Sequence, residues 1–197
     1  MDGGFVTKKL QPRLRRFPTP VDVEAEVTRI SSHVDLADFD LLRVYFYDAA
    51  PATKRLSNPI NGVQLNLGTT QQHNDCTSLH QGLELLPDFA LRMGETAVHG
   101  WTFGDRALRN LTAKPRQPAA NDLVPNIEQK GVDLRIGLDI ARLSLKALVD
   151  ILVVVTGDSD MIPAFKFARR EGVKIYLDMM GHNVKRELKV HSDRIIG

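Results

Sequence analysis

The chain has 197 residues, of which 43% are hydrophobic and 25% charged, with a formal net charge of +2. This is the composition of a folded globular chain long enough to bury a core without a metal or disulfide staple, and it excludes a disordered or fibrous protein. The single Cys76 excludes an internal disulfide and a thiolate zinc cluster, no apolar run approaches the ~18 residues of a membrane span, and MDGGFVTKKL lacks the apolar stretch of a signal peptide. A cytoplasmic setting with no membrane partner is the expectation.

In chain order, Asp2 stands ahead of a basic run, Lys8, Lys9, Arg13, Arg15 and Arg16. Thr19-Pro20 has the form of a helix start, and Val23, Val27, Ile30 and Val34 continue as one stripe. Leu41 to Tyr47 is an apolar run suited to a strand buried on both faces. Residues 48–129 read as an insertion. Segment 48–80 shows little periodicity, Phe89 to Trp101 suggests a hairpin turning at Met93-Gly94-Glu95, and segment 113–126 holds three prolines and reads as a loop. Gly131 to Ala147 predicts a helix, with Leu134, Leu138, Ala141 and Leu145 along one face. Asp150 to Val155 predicts a strand, Ile162 to Glu171 a helix capped by Gly172, and Val173 to Leu177 a second strand. The termini therefore predict an α/β domain with a mostly parallel sheet.

Four aspartates carry the chemistry. Asp158 and Asp160 follow a buried strand, where open α/β sheets bind ligands. Asp133 lies in the first turn of the preceding helix, and Asp2 opens the chain. Clustered carboxylates repel one another and favour raised pKa values or a bound cation. Hard oxygen ligands suit Mg²⁺ or Mn²⁺, which activate water and neutralise phosphoryl charge. Each aspartate alone has a plainer reading: Asp158 or Asp160 as a helix cap, Asp133 as a first-turn carboxylate, and Asp139 as a solvated partner of Arg135 and Arg142.

Three motifs taken together resemble the NYN domain family, the LabA-like branch of the PIN-like nucleases: Asp2-Gly3-Gly4-Phe5, Gln129-Lys130-Gly131-Val132-Asp133, and Thr156-Gly157-Asp158-Ser159-Asp160. The stretch from Gln129 to Leu177 is similar to that family almost throughout. The resemblance implies a PIN-like three-layer α/β sandwich over 1–197, with a mostly parallel sheet flanked by helices and the insertion within it. It also implies a metal-dependent ribonuclease, with Asp2, Asp133, Asp158 and Asp160 as catalytic and metal-binding residues around one or two Mg²⁺ or Mn²⁺ ions. Asp139, Lys130, Thr156 and Ser159 form a second tier. Two departures stand out: the family's apolar strand before its first Asp is missing ahead of residue 1, and Phe5 occupies a position that is often Asn.

The implied partner is RNA, with Lys8, Lys9, Arg13, Arg15 and Arg16 as candidate phosphate contacts and a homo-oligomer left open. Lys166, Arg169, Arg170, Lys185, Arg186 and Lys189 add later basic groups. The alternative is a weak or inactive RNA- or protein-binding module on the same fold. A haloacid-dehalogenase-type phosphatase is disfavoured, because Asp2-Gly3-Gly4 lacks the second acid that chemistry needs.

Overall fold

The computed structural model describes residues 1–197. Fifteen helices and strands follow one another: α1 Gly3–Leu14, α2 Pro20–Ser31, β1 Val44–Ala49, β2 Arg55–Ser57, β3 Gln64–Asn66, α3 Gln71–Glu84, β4 Phe89–Phe103, α4 Asp105–Ala113, β5 Leu123–Lys130, α5 Val132–Leu145, β6 Ile151–Val155, α6 Ile162–Arg170, β7 Lys174–Asp178, α7 Arg186–Val190 and β8 Arg194–Ile195. The mixed α/β class expected from the sequence is present.

The strands form three sheets. One has the order β1-β4-β5, another β6-β7-β8, and β2 pairs only with β3. The β1–β4, β6–β7 and β7–β8 pairs are parallel, whereas β4–β5 and β2–β3 are antiparallel. Between β1 and β6 only Met1 and Asp2 make strand-like contacts. The Met1 carbonyl accepts from the Tyr47 N–H at 3.0 Å, and the Asp2 N–H donates to the Val155 carbonyl at 3.0 Å. Instead of one mostly parallel sheet, two three-stranded sheets are joined at one end by two residues.

Strand alternation explains why both faces are covered. Adjacent residues of β1 enter different apolar clusters: Phe46 packs with Val6, Leu10, Val23, Leu79 and Leu83, and Tyr47 with Ile136, Ile140, Phe165 and Leu177. Val154 and Val155 divide in the same way.

Several expectations are corrected. Phe89–Phe103 is one continuous strand, with no turn at Met93-Gly94-Glu95. Residues up to Gly94 pair with β1 and residues from Glu95 pair with β5. Gly94 serves close approach instead of a turn: a Cβ there would lie 2.6 Å from the Lys130 carbonyl and 2.8 Å from Val132 Cγ2. The insertion's hairpin is β2–β3, and its poorly periodic part also holds α3. The expected proline-rich loop gives way to β5 at Leu123. In α5 the predicted apolar face points outward, with Leu134, Leu138 and Leu145 more than 60% exposed. The buried stripe is Val132, Ile136, Ile140 and Leu143.

Two glycines should respond oppositely to alanine. Gly94→Ala should lower stability in urea unfolding by about 1–3 kcal/mol, because the rigid backbone of β5 opposes the methyl. Gly137→Ala should raise it by about 0.5–1 kcal/mol, since its position in α5 is open and helical. Equal effects at both sites would contradict this packing.

Candidate active site

The site starts from one buried hydroxyl. Thr156 follows β6 directly and is fully buried. Its Oγ1 donates to Asp2 Oδ2 at 3.0 Å and accepts from the Asp158 N–H at 3.1 Å. The other Asp2 oxygen accepts from the Phe5 N–H at 3.0 Å and so caps α1. Asp158 Oδ1 accepts from the Asp160 N–H at 2.9 Å, capping the short helical turn Ser159–Met161. The capping role and the site role thus fall on the same side chains, and an N-cap carboxylate keeps lone pairs for a further ligand.

Asp133 reaches this group from the first turn of α5. Its carboxyl is held above the ordinary range, first by burial and then by the charges of Asp158, Asp2 and Asp160. That coupling is the physical sign that all four sequence-predicted aspartates share one electrostatic environment. No three acidic, histidine or cysteine side chains converge as a ready-made coordination sphere. The donor chemistry still fits a hard cation held by one or two carboxylates with water and phosphate oxygens, as Mg²⁺ is commonly bound.

The second-tier residues separate. Ser159 accepts a hydrogen bond from Lys185 Nζ at 3.1 Å, which sets a cation beside the acidic turn. Lys130 is half-exposed and lies 3.6 Å from Glu128. Asp139 keeps the expected ion pair with Arg142, at 3.7 Å, but not one with Arg135, and it is largely shielded from solvent: it accepts from the buried Tyr47 hydroxyl at 3.0 Å and from Arg92 Nε at 3.2 Å, tying α5 to β1 and β4. Burial, followed by the Asp139 charge, holds the Tyr47 phenol in its protonated form.

The basic run divides too. Arg13 pairs with Glu26 and so fastens α1 to α2, and Arg16, in the connection between them, chelates Asp22 in the first turn of α2 at 2.6 and 2.8 Å. Lys8, Lys9 and Arg15 make no ion pair, and the Lys9 ammonium lies 5.3 Å from the centre of the Phe5 ring. Phe5 covers Gly157, where a Cβ would come within 2.6 Å of its Cε2.

Asp48, His80 and Gln129 form a further polar group, of which only Gln129 stood in a sequence motif and none was a site candidate. Asp48 accepts from the Ala49 N–H and from Gln129 Nε2, both at 2.7 Å, and its other oxygen lies 2.9 Å from His80 Nε2. With its nitrogen held there, the Gln129 amide oxygen comes within 3.4 Å of a Cβ placed on Gly4, on which Asp2 Oδ1 also closes to 3.6 Å. The only available signal was that Gln129 adjoins the KGVD motif.

In this α/β fold Asp158 and Asp160 follow a parallel strand, and Asp2 and Asp133 come to them from the starts of two helices. The family model of the NYN domain matches residues 95–196, just over half of the chain, and the chain belongs to that family, one of the PIN-like nuclease families. No curated protein and no solved structure matches the chain. No helix is long and apolar enough to cross a membrane.

Because charge on Asp133 costs stability, Asp133→Asn should raise the melting temperature at pH 7. The folded-state pKa lies above the unfolded one, so the cost is present at neutral pH and vanishes as pH falls through the folded value. The gain over the parent should therefore shrink towards pH 4. A gain independent of pH would show that charge repulsion is not its cause.

Proposed function

We propose that this NYN protein is a divalent-metal-dependent ribonuclease with a PIN-like arrangement of layers, in which Asp2, Asp133, Asp158 and Asp160 form the catalytic and metal-binding set. The observation that carries this reading is that the charges of Asp158, Asp2 and Asp160 all act on Asp133, which gathers four carboxylates at one mouth. A pure binder of a polyanion gains nothing from such a cluster. A bound Mg²⁺ or Mn²⁺ ion would supply Lewis acidity and an activated water for phosphodiester hydrolysis.

The chain's own residues do the rest. Thr156 fixes the orientation of Asp2 relative to the Asp158 backbone. Asp133, with its raised proton affinity, is the carboxyl of the four best suited to hold and release a proton. Lys185 and Lys9 flank the acidic turn and offer charge to the phosphates on either side of the cut, with Lys8, Arg15 and Lys130 as outer contacts. A second reading, an RNA-binding module without catalysis, draws on the absence of a convergent three-ligand cage.

The test is cleavage of an end-labelled RNA pool with Mg²⁺, Mn²⁺ or EDTA. Cleavage should require metal, and Asp158→Asn should reduce it by about 100-fold or more while leaving the melting temperature unchanged or higher. RNA binding without metal-dependent cleavage would favour the second reading.

A further inference from the structure

A groove leads out of the acidic mouth between α5 and α6. Asp133 and Asp160 stand at one end, Leu134, Gly137 and Ala141 line it from α5, and Pro163 and Phe167 line it from α6. Its volume is about 370 Å³. From Asp133 to Ala141 it follows α5 for about 12 Å, at ~1.5 Å per residue. Beyond the two acids its side chains are apolar, so the walls offer dispersion contacts and no hydrogen bonds.

Gly137 gives the groove its depth. A glycine inside a helix weakens the helix, and close packing is the usual reason to keep one. Close packing explains Gly94, where a Cβ would meet β5. At Gly137 no atom lies within 4 Å of the place a Cβ would take. The missing side chain leaves open space beside the groove instead of a contact with another element. Across from it stands Phe167, the one aromatic side chain in the groove, half-buried, with the exposed Pro163 one turn earlier on the same face. An aromatic ring face takes any nucleobase by stacking, whatever its sequence.

The two ends suit the same kind of group. At the mouth end stand the acids that would hold a hard cation, and a cation there attracts an anion. Nearly one turn beyond Phe167 stands Arg170, exposed and without an acidic partner, whereas its neighbour Arg169 is paired with Asp193 at 3.0 Å. A ligand that satisfies both ends carries an anion on each side of a flat apolar body. A nucleotide within an RNA strand is built in this way, with a base set between two phosphates.

We infer that this groove is a nucleobase subsite for single-stranded RNA. The base of a nucleotide flanking the cut lies between Gly137 and Phe167, with one phosphate at the acids through their cation and the next at Arg170. A base inside a duplex is paired and stacked and does not enter, so the strand is single or locally open. Walls without hydrogen-bonding groups make the subsite indifferent to base identity. The subsite presupposes the ribonuclease reading of the mouth and fixes the form of RNA that the mouth takes.

The test follows the methyl signal of Met161, which lines the groove, by NMR of the chain labelled at its five methionines, with Mg²⁺ present. Adenosine 5′-monophosphate should shift that signal saturably, with a Kd of about 1 mM or tighter. Excess ribose 5-phosphate, which has the phosphate and no base, should leave the shift in place. Phosphorothioate-linked oligoadenylate, which resists cleavage, should cause the same shift, and its duplex with oligouridylate should not. Gly137→Leu fills the groove with a good helix former, so it should match or exceed the melting temperature of the parent and weaken nucleotide binding at least about tenfold. Phe167→Leu keeps an apolar wall without the ring face and should weaken it about fivefold or more. No shift at about 10 mM nucleotide, displacement by ribose 5-phosphate, an equal shift by the duplex, or undiminished binding to Gly137→Leu would each overturn the subsite. A parent that sediments as a dimer, becomes monomeric in Gly137→Leu and shows no nucleotide shift would assign the groove to a second copy of the chain instead. Depletion of free Mn²⁺, measured alongside, separates the two readings. Depletion without nucleotide binding removes the subsite and leaves the metal-dependent ribonuclease, and nucleotide binding without depletion does the reverse.

Discussion

The join between Asp2 and Thr156 is the contact on which the rest of the structure depends. Asp2 is bound three ways: its N–H to the end of β6, one carboxylate oxygen to the start of α1, and the other to the Thr156 hydroxyl. A cap of this kind contributes about 1 kcal/mol to a helix. Here it also links two sheets that share no strand pairing with each other. The same hydroxyl holds the backbone of Asp158, so the geometry of the acidic mouth and the connection between the sheets rest on one buried oxygen.

That economy has an electrostatic cost. Gathering Asp2, Asp158 and Asp160 around Asp133 adds their charges to the burial that disfavours ionisation of Asp133. The repulsion is tolerated because Asp2 and Asp158 receive backbone and hydroxyl donors, and because Lys185 sits beside the acidic turn. A network with this balance is poised to accept positive charge. Family membership, the strand-end location and the donor chemistry point the same way, although fold and family alone do not decide activity.

Much of this was legible in the sequence, for identifiable reasons. The strands at β6 and β7 and the turn between β6 and α6 were readable because short β-branched runs punctuated by Gly and Asp have few alternative structures. The face of α5 was misread because Val132-Ile136-Ile140-Leu143 and Leu134-Leu138-Ala141-Leu145 have nearly the same helical spacing, and periodicity cannot say which stripe meets a sheet. Gly94 looked like a turn residue because the need for close approach to β5 exists only in three dimensions. Arg13 and Arg16 looked like RNA contacts because Glu26 and Asp22, their partners, lie in the next helix. The Asp48, His80 and Gln129 group was invisible, since its members lie on three separate elements and meet only after folding.

Acting together, the four carboxylates form one cation-binding group. Electron paramagnetic resonance of free Mn²⁺ titrated with the protein measures this directly, with no RNA or turnover required. The parent chain should remove the free-ion signal saturably, Mg²⁺ should restore it by competition, and Asp158→Asn should remove much less of it. A free Mn²⁺ signal unchanged by the parent chain, or depleted equally by Asp158→Asn, would contradict it.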